Sequence, residues 1–148
     1  MRFQYRMQNI LNIKLKEEEQ QKTAFGLAQA RLNEEQDKLA ALIARREEYV
    51  EEGRRMRLDA ISVQKLRENQ EAVKVMDTLI MSQRSAVARA EKNLEIERQR
   101  LTVAMQERKM HERLREKAYE RFLAEEKAEE AKINDERSSF VYGQRSGE

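Results

Sequence analysis

Six apolar residues, Leu66, Val73, Ile80, Val87, Leu94 and Leu101, stand seven positions apart without a break. A strict seven-residue apolar repeat keeps one face of a helix turned toward a partner helix and winds the pair into a left-handed supercoil. Met76, Ala90 and Ala104 accompany this ladder in the second row of the seam. An earlier ladder, Phe25, Leu32 and Leu39, is accompanied by Ala28, Leu42 and Tyr49. With no proline, four glycines and 5% aromatic residues, the chain lacks the turns and bulky side chains of a sheet domain. Ala, Glu, Lys, Leu, Arg and Gln dominate instead, the composition of coiled coils.

The clear interruption of helical pattern lies at residues 53–61. Gly53 follows an amphipathic run, where a left-handed terminating conformation would suit it. Asp59 and Ser62 can accept hydrogen bonds from the free amides of a new helix. The expectation is an all-α, two-helix antiparallel coiled-coil hairpin with unequal arms. It forms one domain over residues 1–148, with helices over 3–52 and 62–140, a turn over 53–61 and a frayed tail over 141–148. At about 1.5 Å per residue the arms span about 75 and 120 Å, so about thirty C-terminal residues overhang. A turn centred near residue 57 or 58 sets Leu42 against Val73, Leu39 against Met76, Tyr49 against Leu66, Ala28 against Val87 and Phe25 against Ala90. It also sets Arg46 against Asn69 and Glu18 against Glu97; a shift by one heptad would also align the seams, so this register rests on where the turn falls.

Thirty basic and twenty-eight acidic side chains are interleaved and leave a net charge of +2. No sustained positive field is available to hold a phosphate backbone, which argues against nucleic-acid binding. No run approaches the 18 or so apolar residues of a membrane span, and residues 1–7 lack the apolar core of a secretion signal. With no cysteine, disulfides and thiolate metal sites are excluded, and a soluble intracellular protein is expected. His111 is the sole histidine and reads as a solvated helix residue; Gly26 and Gly53 stand apart and make no phosphate loop. The reading is a protein that is not an enzyme, with no catalytic residues, cofactor, metal or small-molecule substrate.

Binding surfaces are the alternative to catalysis. The stretch 72–81 carries more apolar residues than one seam can bury. Val73, Met76 and Ile80 take the seam and leave Val75, Leu79 and Met81 to flanking faces, where adaptable methionine suits a contact. Arg54, Arg55 and Arg57 at the turn suit either solvent or an acidic partner. At the other end, Phe3, Met7, Ile10 and Leu11 form a short apolar stripe. Phe122, Leu123 and Ile133, with Ala118 and Tyr119, form another on the overhanging helix, which has no partner within the chain. A helix with an uncovered stripe lays it into another protein's groove.

Three segments carry a resemblance: Phe3-x-Tyr5-x-Met7-x-x-Ile10-Leu11 with Glu17-Glu18-Glu19, the run from Leu39-x-x-Leu42 to Tyr49, and Glu129 through Glu136 with its Lys132-x-x-Asp135-Glu136. Together they resemble the flagellar export protein FliJ family over essentially the whole chain. The resemblance implies a cytoplasmic, non-enzymatic stalk of the flagellar type III export apparatus, held peripherally at the inner face of the membrane through partners. It implies that the end built from both termini enters the hexameric export ATPase, through Phe3, Met7, Ile10, Leu11, Phe122, Leu123, Lys132, Ile133, Asp135 and Glu136. It further implies that Leu42, Tyr49, Ala72, Met76, Leu79 and Gln83 meet the membrane export gate and empty export chaperones, although Leu42, Tyr49 and Met76 double as seam residues. Readings from other classes are a general coiled-coil adaptor, the equivalent stalk of a virulence secretion system, a V- or A-type rotary ATPase stalk, and a nucleic-acid-associated coil.

Overall fold

The structure, a computed structural model, describes residues 2–59 and 62–147. It consists of two α-helices, α1 (Gln8–Leu58) and the longer α2 (Val63–Ser146), packed against each other as a hairpin. No strand occurs among the described residues. The expected all-α hairpin with unequal arms is therefore what forms.

The helix ends differ from the sequence expectation in three places. Helix α1 begins at Gln8 rather than residue 3: the Gln8 amide donates to the Tyr5 carbonyl at 3.1 Å, closing a turn ahead of the helix. At its other end α1 runs straight through Gly53 to Leu58. Gly53 has no positive φ and does not terminate the helix; it is buried, and its missing Cβ makes room for Asn69 of α2. The tail expected to fray over 141–148 continues as helix to Ser146. Ser62 caps α2 as anticipated, its Oγ accepting from the Lys65 amide at 3.2 Å. Ala60 and Ile61 of the expected turn, and Glu148 of the tail, lie outside the described residues.

The longer α1 changes the register. With the turn falling after Leu58 rather than near residue 57, each residue of α1 meets a residue further along α2. Arg46 pairs with Asp77, eight positions beyond the Asn69 expected there. Glu18 pairs with Arg108 instead of Glu97.

By their contacts the residues group into two units, Met1–Glu18 with Val103–Glu148, and Glu19–Thr102. In the Glu19–Thr102 unit the core is Leu32, Val87, Ala90 and Leu94, with Phe25, Ala28 and Leu39 packed against it. Both heptad ladders thus supply the seam, and a large ring sits beside small alanines, the alternation that lets two helices approach closely. The Arg98 guanidinium lies over the Phe25 ring, 5.7 Å from its centroid. In the other unit, Leu11 and Ala104 are the buried apolar residues.

Candidate interaction surfaces

In the unit made of Met1–Glu18 and Val103–Glu148, an aromatic cluster ties the segment before α1 to α2. The Phe3 ring meets Tyr119 edge-on at 5.1 Å and Phe122 at 5.4 Å between centroids, and the Arg115 guanidinium lies 5.8 Å from the Phe3 centroid. Edge-to-face geometry sets the positive rim of one ring against the negative face of the next. Polar bonds frame the cluster: Arg115 Nε donates to Gln8 Oε1 at 3.0 Å, and Lys14 Nζ reaches Glu107 at 3.0 Å. These contacts, led by the bonds to Glu107 and Glu17, raise the Lys14 ammonium above its usual value of 10.5. The buried Glu18 carboxylate accepts from Arg108, which also donates to Glu112 at 2.8 Å.

This arrangement corrects one expectation. Phe122 is not uncovered; it is half-buried under Phe3, which supplies a partner within the chain. Leu11 is 4% exposed and belongs to the core, while Ile10 is half-buried. Met7, Leu123 and Ile133 remain exposed, as do Lys132, Asp135 and Glu136. Residues 127–145 of α2 are exposed throughout, and among them Ile133, Phe140, Val141 and Tyr142 are large apolar side chains. His111, expected to be solvated, is half-buried, with Nδ1 lacking a hydrogen-bond partner among the described residues.

The second expected surface lies in the Glu19–Thr102 unit. Leu79 is 45% exposed, flanked by Val75 and Met81, which are more exposed still. Leu42, Tyr49 and Ala72 are half-buried, and Tyr49 and Ala72 line one shallow groove with Met56 and Asn69. Met76 is buried in the seam. Gln83 is occupied across the helices: its Nε2 donates to the Glu35 carbonyl at 2.9 Å and to the Glu35 carboxylate. That amide holds the Glu35 carboxyl below its usual 4.5, helped by Lys38, Arg31 and Arg89 and opposed by desolvation. Tyr49 carries the Arg45 guanidinium 4.9 Å from its ring centroid, and its hydroxyl accepts from Arg45 at 3.2 Å.

A further contact was not anticipated. Asn69 Nδ2 donates 2.8 Å to the Tyr49 carbonyl, while its Oδ1 lies against the bare Cα face of Gly53. The signal for it was in the ladder: Asn69 and Gln83 occupy the same seam row as Met76 and Ala90. A polar residue in an apolar row must find a partner across the seam.

Residues 3–147, almost the entire chain, match the family described as Flagellar FliJ protein. The chain belongs to the FliJ family. No curated protein and no solved structure gave a match. FliJ proteins are structural components of the flagellar export apparatus, and the match takes in both the aromatic N-terminal segment and the exposed end of α2. No helix among the described residues is long and apolar enough to cross a membrane.

Proposed function

We propose that this FliJ-family chain is a cytoplasmic, non-enzymatic stalk that engages the hexameric flagellar export ATPase with the unit formed by its two termini. The observation that carries this reading is the exposed stretch 127–145 of α2, which presents Ile133, Phe140 and Val141 among charged residues. Exposed apolar side chains grouped on a helix mark a contact surface. Leu123, Ile133, Lys132, Asp135 and Glu136 then touch the ring, with Arg115, Lys117, Arg121, Glu125 and Lys127 facing its charged lining. Phe3, Leu11 and Phe122 act by holding the N-terminal segment onto α2, and Met7 and Ile10 lie at that junction. A helix in a ring contacts its subunits unequally and so biases their states by differential contact.

The second half of the proposal is that Leu79, with Leu42, Tyr49 and Ala72 beside it, meets the membrane export gate and accepts empty export chaperones. Met76 and Gln83 support this surface from within, by packing and by the bond to Glu35. Peripheral attachment to the membrane follows through those partners. The test is hydrolysis by the hexameric ATPase with added chain. Because Phe122 is packed under Phe3, the informative variant is Leu123→Ser/Ile133→Ser, which alters exposed side chains alone. Helical content stays as in the parent, and stimulation of hydrolysis falls by about tenfold.

A further inference from the structure

Charge is mixed along most of this chain, and one of its basic concentrations lies at the hairpin turn. Residues 53–67 hold Arg54, Arg55, Arg57, Lys65 and Arg67 against a single acid, Asp59. That segment carries a net +4 in a chain whose whole net charge is +2, so the remainder is slightly acidic. All five cations are exposed, and they come from both helices, Arg54, Arg55 and Arg57 from the last turns of α1 and Lys65 and Arg67 from the first turns of α2. Arg54 pairs with Glu51, but Arg55, Arg57, Lys65 and Arg67 have no ion-pair partner among the described residues.

The turn is also apolar at its extremity. Leu58 is 82% exposed, the highest value of any large apolar side chain among the described residues, and Val63 is 67% exposed. Glu47, Glu48, Glu51 and Glu52 line a face of α1 that ends at Arg55, on the side of the cations away from Leu58. Glu52 precedes Leu58 by six residues, about 9 Å along a helix axis, which is close to the screening length of about 8 Å at physiological salt. A negative plane touching residues 53–67 therefore meets five cations against the single acid Asp59.

We infer that the hairpin turn binds the surface of an anionic phospholipid bilayer, with Leu58 and Val63 entering the interface and Arg54, Arg55, Arg57, Lys65 and Arg67 meeting headgroup phosphates. Exposed cations around protruding aliphatic side chains need only a negative plane with an apolar interior, which is what such a bilayer offers. An acidic protein would satisfy the cations and leave Leu58 and Val63 in water unless it also offered an apolar recess. Direct lipid contact goes beyond attachment through partners, and its test contains no ATPase, so it fails or holds separately from ring binding.

The test is cosedimentation of the full chain with phosphatidylcholine vesicles containing about one-third phosphatidylglycerol, beside pure phosphatidylcholine vesicles. The chain is expected on the anionic vesicles, with affinity falling at least about tenfold between about 0.05 and 0.5 M salt. Arg54→Gln/Arg55→Gln/Arg57→Gln weakens partition by about tenfold or more, and Leu58→Asn by about threefold. Lys74→Gln/Arg84→Gln/Lys92→Gln, which removes equal charge from exposed positions of α2, binds like the parent. Circular dichroism shows whether each variant keeps its helices, and Leu58 is too exposed for its replacement to unfold the turn. Absence from anionic vesicles, equal partition onto neutral ones, or unchanged affinity in either turn variant overturns the inference. So does capture on immobilised polyglutamate without vesicle binding, which would make the turn a protein site.

Discussion

Replacing Gly53 by alanine sets two effects of known size against each other. Inside a helix, glycine to alanine is worth about 1 kcal/mol in favour of folding. At Gly53, however, the added Cβ would lie 2.3 Å from Asn69 Oδ1 and 3.2 Å from its Cγ, so the Asn69 amide must move. Moving it breaks the 2.8 Å bond to the Tyr49 carbonyl at a residue that is 8% exposed. A buried amide left unpaired costs about 1–3 kcal/mol, so Gly53→Ala is expected to destabilise by about 1 kcal/mol net. Gly26 gives the internal control: a Cβ there meets nothing within 4 Å, so Gly26→Ala is expected to stabilise by about 1 kcal/mol. Removing the obstacle should reverse the sign. In an Asn69→Ala background, Gly53→Ala becomes stabilising, giving a coupling of about 2 kcal/mol in a double-mutant cycle. Urea unfolding followed by far-ultraviolet circular dichroism measures all four species. A Gly53→Ala chain as stabilised as Gly26→Ala, with no dependence on residue 69, would refute the close approach and the register built on it.

Phe3→Ala removes both ring contacts with Tyr119 and Phe122, and hydrogen exchange of the first turns of α1 is expected to accelerate by about tenfold while residues 19–102 keep their protection. Glu35 has a lowered carboxyl value in the folded chain, so its contribution to stability is present above 4.5 and is lost as pH falls through the lowered value. The stability gap between the parent and Glu35→Gln is therefore expected to be constant near neutral pH and to close in acid. A gap that widens on acidification would contradict the Gln83 contact.

The seam was legible because heptad spacing is a property of one helix and needs no knowledge of the other. Leu32, Ile80, Val87, Ala90 and Leu94 are buried where the ladders put them. The register was not legible, because a glycine after an amphipathic run has two meanings, a helix stop or a place where another helix comes close. The residue that decides between them, Asn69, is sixteen positions away in sequence, and its proximity to Gly53 depends on the register being sought. The same circularity hid the bonds of Glu18 to Arg108 and Glu35 to Gln83. For the terminal surface, composition picked out Phe3 and Phe122 as apolar anchors. That each covers the other depends on the register within the terminal unit, which the pattern of a single helix does not give. Exposed positions such as Leu123, Leu79 and Ile133 were legible as apolar residues beyond the needs of the seam, since a two-helix interface buries only one narrow face of each helix.

The proposed function has the unit formed by the two termini grip the export ATPase through the exposed length of α2. The decisive measurement is the ATP hydrolysis rate of the purified hexameric ATPase titrated with the parent chain and with Leu123→Ser/Ile133→Ser, alongside a pull-down of the same mixtures. Saturable acceleration and co-capture by the parent, both lost in the variant while its helices persist, is the outcome predicted here. Equal acceleration by both chains, or a parent chain that neither binds nor accelerates the hexamer, would contradict it.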